Sequence, residues 1–565
     1  MHQLFNKNKR LLSFLLLWMA ILSGTGRLAA QENLSDTISV QKAAVEENPL
    51  GAVSTIYTDQ LSKTLATTII PSLTGRLPGL DIYQYRGIKA HAITSNTNWD
   101  LAGSLPDFSI GKYSDNTQFS ISSRGASPLV MIDGVQCELF SLDPEAVESV
   151  SLQKDALSSL QQGMRSARGL LVITTKQPDA GGFQLSFTGK YGMQQAVNLP
   201  KPLPAYQYAY LLNEALQNDG KNPVYSAADF NAFRNHTDPF ANPDVNWYDQ
   251  TMKNHAAIQS YNLNASGGGK TAQYFVSLGY MNEEGLFRTS SANSYNTNLN
   301  YERYLITSKI NVNVTEQFKV NLSLIGRIED ENQPGATADD ILYFTYLTPN
   351  NAYPVRNPNG SYGGNISFPN NTWAKTVNSG YISDNARNAL ATINLKYDMG
   401  KWIRGLSAQA DGSVFTESRS ALIRNKQATT YQYKPGENGN EPTYDPFGVT
   451  VSQSNDFVSV SNYQYMYGQV GLNYERTVKQ HALEARLLAD VQQATFNYNL
   501  PDRPANVYGK LKYNYSRKYF AEAAINRSYY NGYAPGKQWG TFYAFGLGWD
   551  LAKENFLSNA KYLDQ

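Results

Sequence analysis

The sequence is poor in cysteine and contains no long apolar run beyond its N-terminus. The single cysteine, Cys137, excludes an internal disulfide, a zinc site built from cysteines and a c-type haem site. Because a lone cysteine in an apolar stretch is usually a small buried hydrophobe, we expect Cys137 to lie in a core. No later stretch reaches the ~18 apolar residues of a candidate membrane helix, so a membrane location would require a β-barrel.

Charge of either sign is also scarce. The 565 residues include 48 lysines and arginines and 47 acidic residues, so nothing indicates a nucleic-acid partner. Apart from His2, the histidines are His91, His236, His255 and His481, and none has a catalytic or metal-binding spacing. No carboxylates have the spacing of a calcium loop. We therefore expect no enzymatic activity, no cofactor and no metal site.

The N-terminus has the pattern of a secretory signal peptide. Lys7, Lys9 and Arg10 form a basic region, and a run of about a dozen apolar residues follows from Leu11 to Leu22. Leu28-Ala29-Ala30 supplies the small residues that precede a signal-peptide cleavage site. The pattern predicts a signal peptide over residues 1–30, and the run is shorter than the ~20 residues of a spanning helix.

Residues 31–49 are polar, and we expect a mobile segment. It contains a β-rich pentapeptide formed by Asp36, Thr37, Ile38, Ser39 and Val40. On pattern alone, a chance pentapeptide in a disordered leader is favoured. The alternative is an extended segment that pairs with the sheet edge of a partner.

Residues 50–180 have the pattern of a compact mixed α/β unit. The sequence predicts strands at Phe119–Ser122, Leu129–Ile132 and Leu170–Thr174, with a tight turn at Asp133-Gly134. Pro144 fits the first turn of a helix that Asp143 would cap. The strands after this unit are long enough to wrap around it.

From Phe183 onwards, strand after strand alternates apolar with polar residues. One example is Ile310, Val312 and Val314, which alternate with Asn311 and Asn313. Asn, Ser, Gly and Gln fill the polar positions, so we expect an uncharged polar face opposite an apolar face bordered by Tyr and Trp. This pattern favours a transmembrane barrel over a soluble sandwich.

The predicted connections are short at some positions and long at others. The segment 266–270 is a tight hairpin turn, whereas 200–254, 333–385 and 434–456 are long and rich in Pro, Asn and Gly. Outer-membrane barrels have this asymmetry. Aromatic residues in the long loops could stack on sugars or peptides, or they could pack within loops or at a membrane interface. They include Tyr343, Tyr346, Tyr353, Trp373 and Tyr381.

Several blocks of the chain match the motifs of a known family. They are Gly51–Ser54 with Leu73–Leu80, Arg124–Val135, Glu148–Ala156, and the group Ala534–Gly540, Gly548-Trp549 and Glu554–Leu557. Through these blocks the chain resembles the SusC/RagA-like group of TonB-dependent outer-membrane transporters.

The resemblance implies an α+β plug domain followed by an antiparallel transmembrane β-barrel. The expected organisation is a signal peptide over 1–30, a mobile segment over 31–49, a plug over 50–180 and a partial barrel over 181–565. The resemblance also implies that Asp36–Val40 is the TonB box, which couples the protein to energy. Seven residues would form a structural plug signature: Arg124, Gly125, Asp133, Gly134, Lys154, Asp155 and Gly169.

The same resemblance implies partners and a location. The protein would be a multi-pass protein of the cell outer membrane, energised by TonB of the TonB–ExbB–ExbD system. A SusD-like surface lipoprotein would close over the barrel. Oligosaccharides or oligopeptides would be imported, and the substrate-binding residues stay open.

The sequence departs from the family pattern in two places. Gln162–Gly169 carries a charged Arg168 where the family has a small residue, which we expect to alter plug contacts. The sequence also contains about a dozen strands, whereas barrels that hold such a plug have about 22. We therefore expect residues 1–565 to be part of a longer product, a truncated non-functional product, or a wall that another polypeptide completes.

Two other functions remain open from the sequence. The barrel could anchor the long loops of a binding or adhesion receptor that performs no active transport. A hydrolase embedded in the barrel would need a catalytic cluster that the sequence does not show.

Overall fold

A computed structural model describes residues 50–66, 68–84, 119–137, 142–336, 338–436, 440–497, 499–554 and 556–557. The predicted signal peptide, the predicted mobile segment with Asp36–Val40, and His91 lie outside the described residues.

A five-stranded sheet is the centre of the region from residue 50 to residue 180, which we call the plug. Its strand order is β1-β6-β7-β4-β5; β4 and β7 are parallel and the other pairs are antiparallel. A separate two-stranded sheet pairs β2 with β3. The strands are β1 (Val53–Tyr57), β2 (Asp81–Gln84), β3 (Phe119–Ser122), β4 (Leu129–Ile132), β5 (Val135–Gln136), β6 (Val147–Gln153) and β7 (Leu170–Thr175).

Short helices connect the plug strands. They are α1 (Thr58–Leu61), α2 (Ile70–Leu73) and α3 (Ala156–Ser159), with 3-10 turns at Pro144–Ala146 and Leu160–Ser166. Asp143 caps the first of these turns by accepting a hydrogen bond from the backbone N–H of Glu145, as the sequence predicts. The predicted strands at 119–122 and 129–132 are confirmed, and the strand predicted at 170–174 extends to Thr175.

The plug core is apolar and continuous. Ile56, Leu61, Ile132 and Leu152 are buried in it. Cys137 belongs to the same core as a buried free thiol, which confirms its prediction as a small hydrophobe.

The larger element is a sheet of twelve antiparallel strands, which we call the wall. The wall strands lie side by side in the order in which they follow one another along the chain, from β8 at one edge to β22 at the other. The strands are β8 (Gly181–Gln194), β9 (Ala256–Gly268), β10 (Ala272–Glu284), β11 (Asn300–Asn313), β12 (Phe318–Pro334), β14 (Gly380–Asp398), β15 (Leu406–Asn425), β18 (Asp456–Val478), β19 (His481–Phe496), β20 (Ala505–Tyr515), β21 (Tyr519–Tyr529) and β22 (Trp539–Trp549).

The wall curls around the plug. Residues of strands near both edges, such as Lys190 on β8 and Gly546 on β22, contact the plug with the same face of the sheet. The opposite face exposes large apolar side chains, for example Phe187 and Leu547. The predicted period-2 alternation therefore separates an inner face from an outer face.

The connections between wall strands are short at one end and long at the other. The turns 269–271, 479–480 and 516–518 are short, whereas the segments 195–255 and 335–379 contain folded structure of their own. The long loops hold helices α4 (Ala205–Asn218), α5 (Ala227–Asn235), α6 (Trp247–Thr251), α7 (Ala338–Leu347) and α8 (Thr372–Val377). They also hold a small sheet of β13 (Tyr362–Gly363), β16 (Thr430–Lys434) and β17 (Thr443–Phe447).

Among the helices that the structure describes, none combines the length and the apolar character needed to cross a membrane.

Candidate functional site

The predicted turn at Asp133-Gly134 joins β4 to β5 in the plug. Both residues have positive φ, 48° for Asp133 and 86° for Gly134, a conformation that glycine adopts without strain and aspartate tolerates. The carboxylate of Asp133 accepts hydrogen bonds from Thr175 N at 3.0 Å and from Thr175 Oγ1 at 2.7 Å. The turn therefore fixes the end of β7 beside β4.

Lys309 on β11 of the wall reaches the same carboxylate. Its Nζ lies 3.0 Å from Asp133 Oδ2 and donates to the carbonyl oxygen of Thr175 at 3.3 Å. The side chains are 5% exposed for Lys309 and 17% for Asp133. A buried charge is tolerated when it is paired and hydrogen-bonded, so this pair joins the plug to the wall. Sequence reasoning missed Lys309, although it is a charged residue on the polar face of an alternating strand.

A second polar contact joins the plug to the first wall strands. Lys190 on β8 forms an ion pair with Glu145 at 3.0 Å. Asn262 on β9 donates from Nδ2 to Asp143 Oδ2 at 3.3 Å. The 3-10 turn that begins at Pro144 thus contacts the wall through the acidic side chains of Asp143 and Glu145.

A third contact lies at Leu160–Ser166, near the other edge of the wall. Asn526 on β21 donates from Nδ2 to the carbonyl oxygens of Leu160 at 2.9 Å and Gln161 at 3.0 Å. Gly163 has a positive φ of 57°, and a Cβ at this position would overlap Ser528 and crowd Asn526. Only glycine allows the backbone to approach the wall this closely.

Arg165 and Lys510 add further hydrogen bonds there. Arg165 donates to Oε1 of Gln492, which also accepts from the hydroxyl of Tyr465 at 3.0 Å. Lys510 on β20 donates from Nζ to the carbonyl oxygen of Leu157 at 3.0 Å. The plug is therefore held by hydrogen bonds to strands near both edges of the wall.

Lys154 and Asp155, from the predicted signature, act inside the plug. Lys154 Nζ donates to Ser54 Oγ at 2.7 Å and to the carbonyl oxygen of Pro78 at 3.0 Å. Asp155 caps α3 by accepting from Ser158 N at 3.0 Å, and it accepts from Ala52 N at 2.7 Å. Both residues therefore tie the start of β1 to the strand β6 beside it.

The remaining signature residues form turns. Arg124 and Gly125 both have positive φ in a turn that Ser123 and Ala126 close with two backbone hydrogen bonds, and Arg124 is exposed. Gly169, with φ of 87°, accepts a hydrogen bond from Leu129 N at 3.0 Å. The structure thus spreads the seven residues over several turns and contacts and does not gather them into one pocket.

Arg168, which departs from the family pattern, is exposed. Among the described hydrogen bonds and ion pairs it takes part in none, so the described contacts give no support to the expected change in plug contacts.

Apolar packing accompanies these polar contacts. Ile325, Leu390 and Phe415 on the inner face of the wall belong to the same buried cluster as Ile132 and Cys137 of the plug. Burial of apolar area stabilises this interface, and the polar contacts favour one relative position of the plug and the wall.

The inner face next to this packing is charged. Arg419 on β15 donates from Nε and Nη2 to the carboxylate of Asp384 on β14, each at 3.0 Å. Arg327 lies 3.5 Å from Glu329 and 3.8 Å from Glu417. The expectation of an uncharged inner face is therefore wrong. Alternation identifies a polar face but not its charge. Charge is tolerated there because oppositely charged residues meet within one strand, on neighbouring strands or across an intervening strand.

The aromatic residues singled out in the long loops have different environments. Tyr343 and Tyr346 on α7 are exposed, whereas Tyr353 is buried and donates to the carbonyl oxygen of Asn370 at 2.8 Å. Burial raises the pKa of the Tyr353 hydroxyl, which keeps it in the neutral form that donates this hydrogen bond. Tyr353 is therefore part of the loop core.

The described residues contain no group of three His, Cys, Asp or Glu side chains that could hold a metal ion. His481 lies at the start of β19, where Nδ1 is 2.8 Å from the hydroxyl of Tyr513. His236 ends α5, and His255 precedes β9.

The chain resembles known proteins in its sequence. No protein-family model matches the chain. It is 23% identical to the TonB-dependent receptor SusC of Bacteroides thetaiotaomicron over 94% of its own length and 52% of that protein. The chain is SusC/RagA-like. A TonB-dependent receptor of Formosa agariphila is 22% identical, again over 94% of the chain and 52% of the relative.

The SusC/RagA-like chain also matches solved structures. It superimposes on the structure of the RagAB peptide importer in the 'closed-closed' state with a TM-score of 0.65 and 16% identity, over 90% of this chain and 58% of the other. This likeness shows a shared fold. The predicted fold class, a plug domain followed by a partial antiparallel barrel, is confirmed. The chain spans about half the length of the curated relatives that it matches.

Proposed function

We propose that this chain forms the plug and part of the barrel of a TonB-dependent transporter in the outer membrane, which imports an oligosaccharide or an oligopeptide. The observation that carries the proposal is a small mixed sheet enclosed by a wall of twelve strands and hydrogen-bonded near both of its edges. The name of one matched structure, the RagAB peptide importer, supports the peptide class. The oligosaccharide class follows from the resemblance of the sequence motifs to the SusC/RagA-like group.

The mechanism rests on a plug that must move. Residues on the inner face of the wall contact the plug directly, so in a completed barrel the plug would obstruct the lumen. Asp36–Val40 would be the TonB box, and the chain leads from it to β1. Because β1 is the edge strand of the five-stranded sheet and pairs only with β6 within it, force applied upstream of Val53 acts first on the strand that is easiest to detach.

A SusD-like lipoprotein would close the long-loop end of the wall. The exposed aromatic residues Tyr343 and Tyr346 of α7 lie in the long loops at that end. Exposed tyrosines supply contact area at low entropic cost, which suits either a protein partner or a captured ligand.

Deletion of Asp36–Val40 tests the coupling. We expect uptake of labelled oligosaccharide or oligopeptide by cells to stop, while binding of the ligand at the cell surface stays unchanged, because the deletion removes only the contact with TonB. Deletion of Ala43–Glu47, which is equally long and lies between the box and β1, is the matched control and should retain uptake. Unchanged uptake without Asp36–Val40 would contradict active transport and favour a binding or adhesion receptor.

A further inference from the structure

An apolar cavity lies on the outer face of the wall, across strands β14, β15, β18, β19 and β20. Its volume is about 600 Å³, and exposed apolar side chains such as Ile393 and Val491 line it. Trp539 of β22 closes one side of it. Sites for small molecules span about 300–1,000 Å³, so the cavity has room for a slender apolar group.

Two adjacent glycines produce this depression. Gly412 on β15 pairs with Ile393 on one side and with Gly468 of β18 on the other, and Gly468 pairs in turn with Val491 of β19. Two successive strands therefore present no side chain between two branched ones. A Cβ at Gly468 would lie 3.8 Å from Val491, which is an ordinary contact, so the packing of the wall does not require this space to stay empty.

The aromatic ends of β22 indicate the level of the cavity in a membrane. The strand has eleven residues, from Trp539 at the long-loop end to Trp549 at the short-turn end, and both indoles are about half exposed. At ~3.4 Å per residue and a tilt of ~40°, this length rises by about 26 Å, which matches the ~25 Å apolar band between the aromatic girdles of a barrel. In the membrane, Trp539 would therefore lie at the interface on the long-loop side.

Two exposed arginines lie beside the cavity at this level. Arg527 of β21 pairs with Val507, which lines the cavity, and its Cζ is 5.3 Å from the centroid of the Trp539 ring. Arg503 lies two residues before β20 begins, and its Nε donates to Oε1 of Gln493 at 3.2 Å. Within the described part of the chain, neither arginine forms an ion pair with a carboxylate. The charge next to the apolar cavity is therefore positive.

A third arginine on the outer face shows the contrast. Arg387 of β14 forms an ion pair with Asp330 at 2.6 Å, whereas the described side-chain contacts of Arg503 and Arg527 are with an amide and an indole. A guanidinium binds a phosphate through two parallel hydrogen bonds, and each keeps its charge in every protein environment. The two arginines beside the cavity therefore suit an anionic group that comes from outside the chain.

We propose that this cavity binds an anionic lipid of the outer leaflet, with one acyl chain above Gly412 and Gly468 and a phosphate at Arg503 and Arg527. An acyl chain is slender and apolar, so it can follow the gap between Ile393 and the neighbouring strands and make close packing contacts there. The phosphate supplies the charge that the arginines lack. The inference rests on the outer-membrane location in the proposed function, and it is independent of the transported substrate.

Native mass spectrometry of the full-length protein tests the site, after purification from outer membranes and removal of lipid in detergent. The probe is lipid A with its phosphate groups, and the comparison is the same lipid after enzymatic removal of the phosphates. We expect one tightly bound lipid A per protein and about tenfold weaker binding of the dephosphorylated lipid, because charge-assisted hydrogen bonds are lost. Arg527→Gln should weaken the binding of lipid A to a similar extent.

Gly468→Val tests the acyl-chain part of the site. The valine side chain has room in the wall and occupies the space of the acyl chain, so lipid A binding should fall while the strand content in circular dichroism stays the same. Gly509→Val is the matched control, since Gly509 lies on the same face outside the cavity, and a Cβ there would be 3.5 Å from Ile525. Arg387→Gln controls for the loss of one positive charge. Both controls should bind lipid A as the unchanged protein does.

Three results would overturn the proposal. They are the absence of bound lipid A, equal affinities for lipid A and the dephosphorylated lipid, and equal affinities of Gly468→Val and Gly509→Val. Masses of two copies of the chain without lipid would assign the cavity to a contact between copies instead. The measurement requires neither TonB nor a transported ligand, so a failure of the coupling test at Asp36–Val40 would leave this result intact, and the reverse also holds.

Discussion

At the scale of single residues, the ion pair between Asp133 and Lys309 is the more buried of the two described ion pairs that join the plug to the wall. Asp133 retains two hydrogen bonds from Thr175 if the lysine is lost, but its charge is then unpaired. The pair therefore contributes to the position of the plug more than to its internal fold.

We expect Lys309→Met to loosen the plug at the end of β7. Removal of one partner from a buried pair costs about 2–3 kcal/mol at a site that is partly exposed. Hydrogen exchange at the amides of Asp133 and Thr175 should accelerate accordingly. The double variant Lys309→Met with Asp133→Asn should recover part of the protection, because the unpaired charge is gone.

Lys434→Met provides the control for this prediction. Lys434 pairs with Asp445 in the small loop sheet, where both side chains are about half exposed. An exposed pair contributes only about 0–1 kcal/mol, so exchange in the plug should stay unchanged. Equal exchange rates in Lys309→Met and Lys434→Met would contradict a role for the buried pair.

The sequence predicted the residues that act within one turn better than those that act across the fold. Asp133-Gly134 and Asp143 were predictable because the local backbone restricts the choice of residue. Lys309, Arg165 and Asn526 were not, since each contact joins segments that lie far apart in the sequence. The seven signature residues lie in several turns and contacts of the plug, and their role as a signature stays a prediction, as does the role of Asp36–Val40.

At the scale of elements, the Leu160–Ser166 turn shows how closely the backbone of the plug approaches the wall. Gly163 combines a positive φ with a position where a Cβ would meet Ser528 and Asn526. A larger residue at this position would therefore be disfavoured both by backbone strain and by steric overlap.

Gly163→Ala should destabilise the docked turn. The backbone of Gly163, with φ of 57° and ψ of −135°, lies in a region where alanine is strained by about 1–3 kcal/mol, and overpacking adds about 1–3 kcal/mol. We expect faster proteolysis of the plug and a lower unfolding midpoint. Gly220→Ala is the control for the cost of a positive φ without overlap, because Gly220 has a φ of 71° and open space around it. The idea fails if both variants lose the same stability.

The strands themselves were largely predictable, because an apolar period of two identifies a strand and its two faces. The charge on the inner face was not predictable, as Asp384 and Arg419 show. They are separated in the sequence, and only the register of β14 against β15 brings them together.

At the scale of the whole molecule, the proposed transport function requires relative movement of the plug and the wall. Leu157 of α3 and Gly546 of β22 lie at their boundary, and a Cβ at Gly546 would be 2.6 Å from Leu157 Cδ1. A disulfide needs about 3.5–4.5 Å between its Cβ atoms, so cysteines at these two facing positions can be joined once a small movement of the boundary brings them into that range. The only native cysteine, Cys137, is buried and should not interfere.

The pair Leu157→Cys with Gly546→Cys should therefore lock the plug when oxidised. We expect uptake to stop, ligand binding to continue, and a reductant to restore uptake in the same cells. Each single cysteine variant should transport in both conditions. Normal uptake by the oxidised double variant would show that this boundary stays closed during transport.

The strand order of the wall also has a consequence for how the chain folds. Each wall strand pairs with the wall strands that come before and after it in the chain. The wall can therefore form one hairpin at a time, through contacts between residues that are close in the sequence. The contacts of the plug with the last strands join the most distant segments of the chain. The plug precedes the wall in the chain, so the hairpins can pack onto a plug that is already present. The packing of the last strands against the plug closes the longest loop and therefore has the largest entropic cost of loop closure.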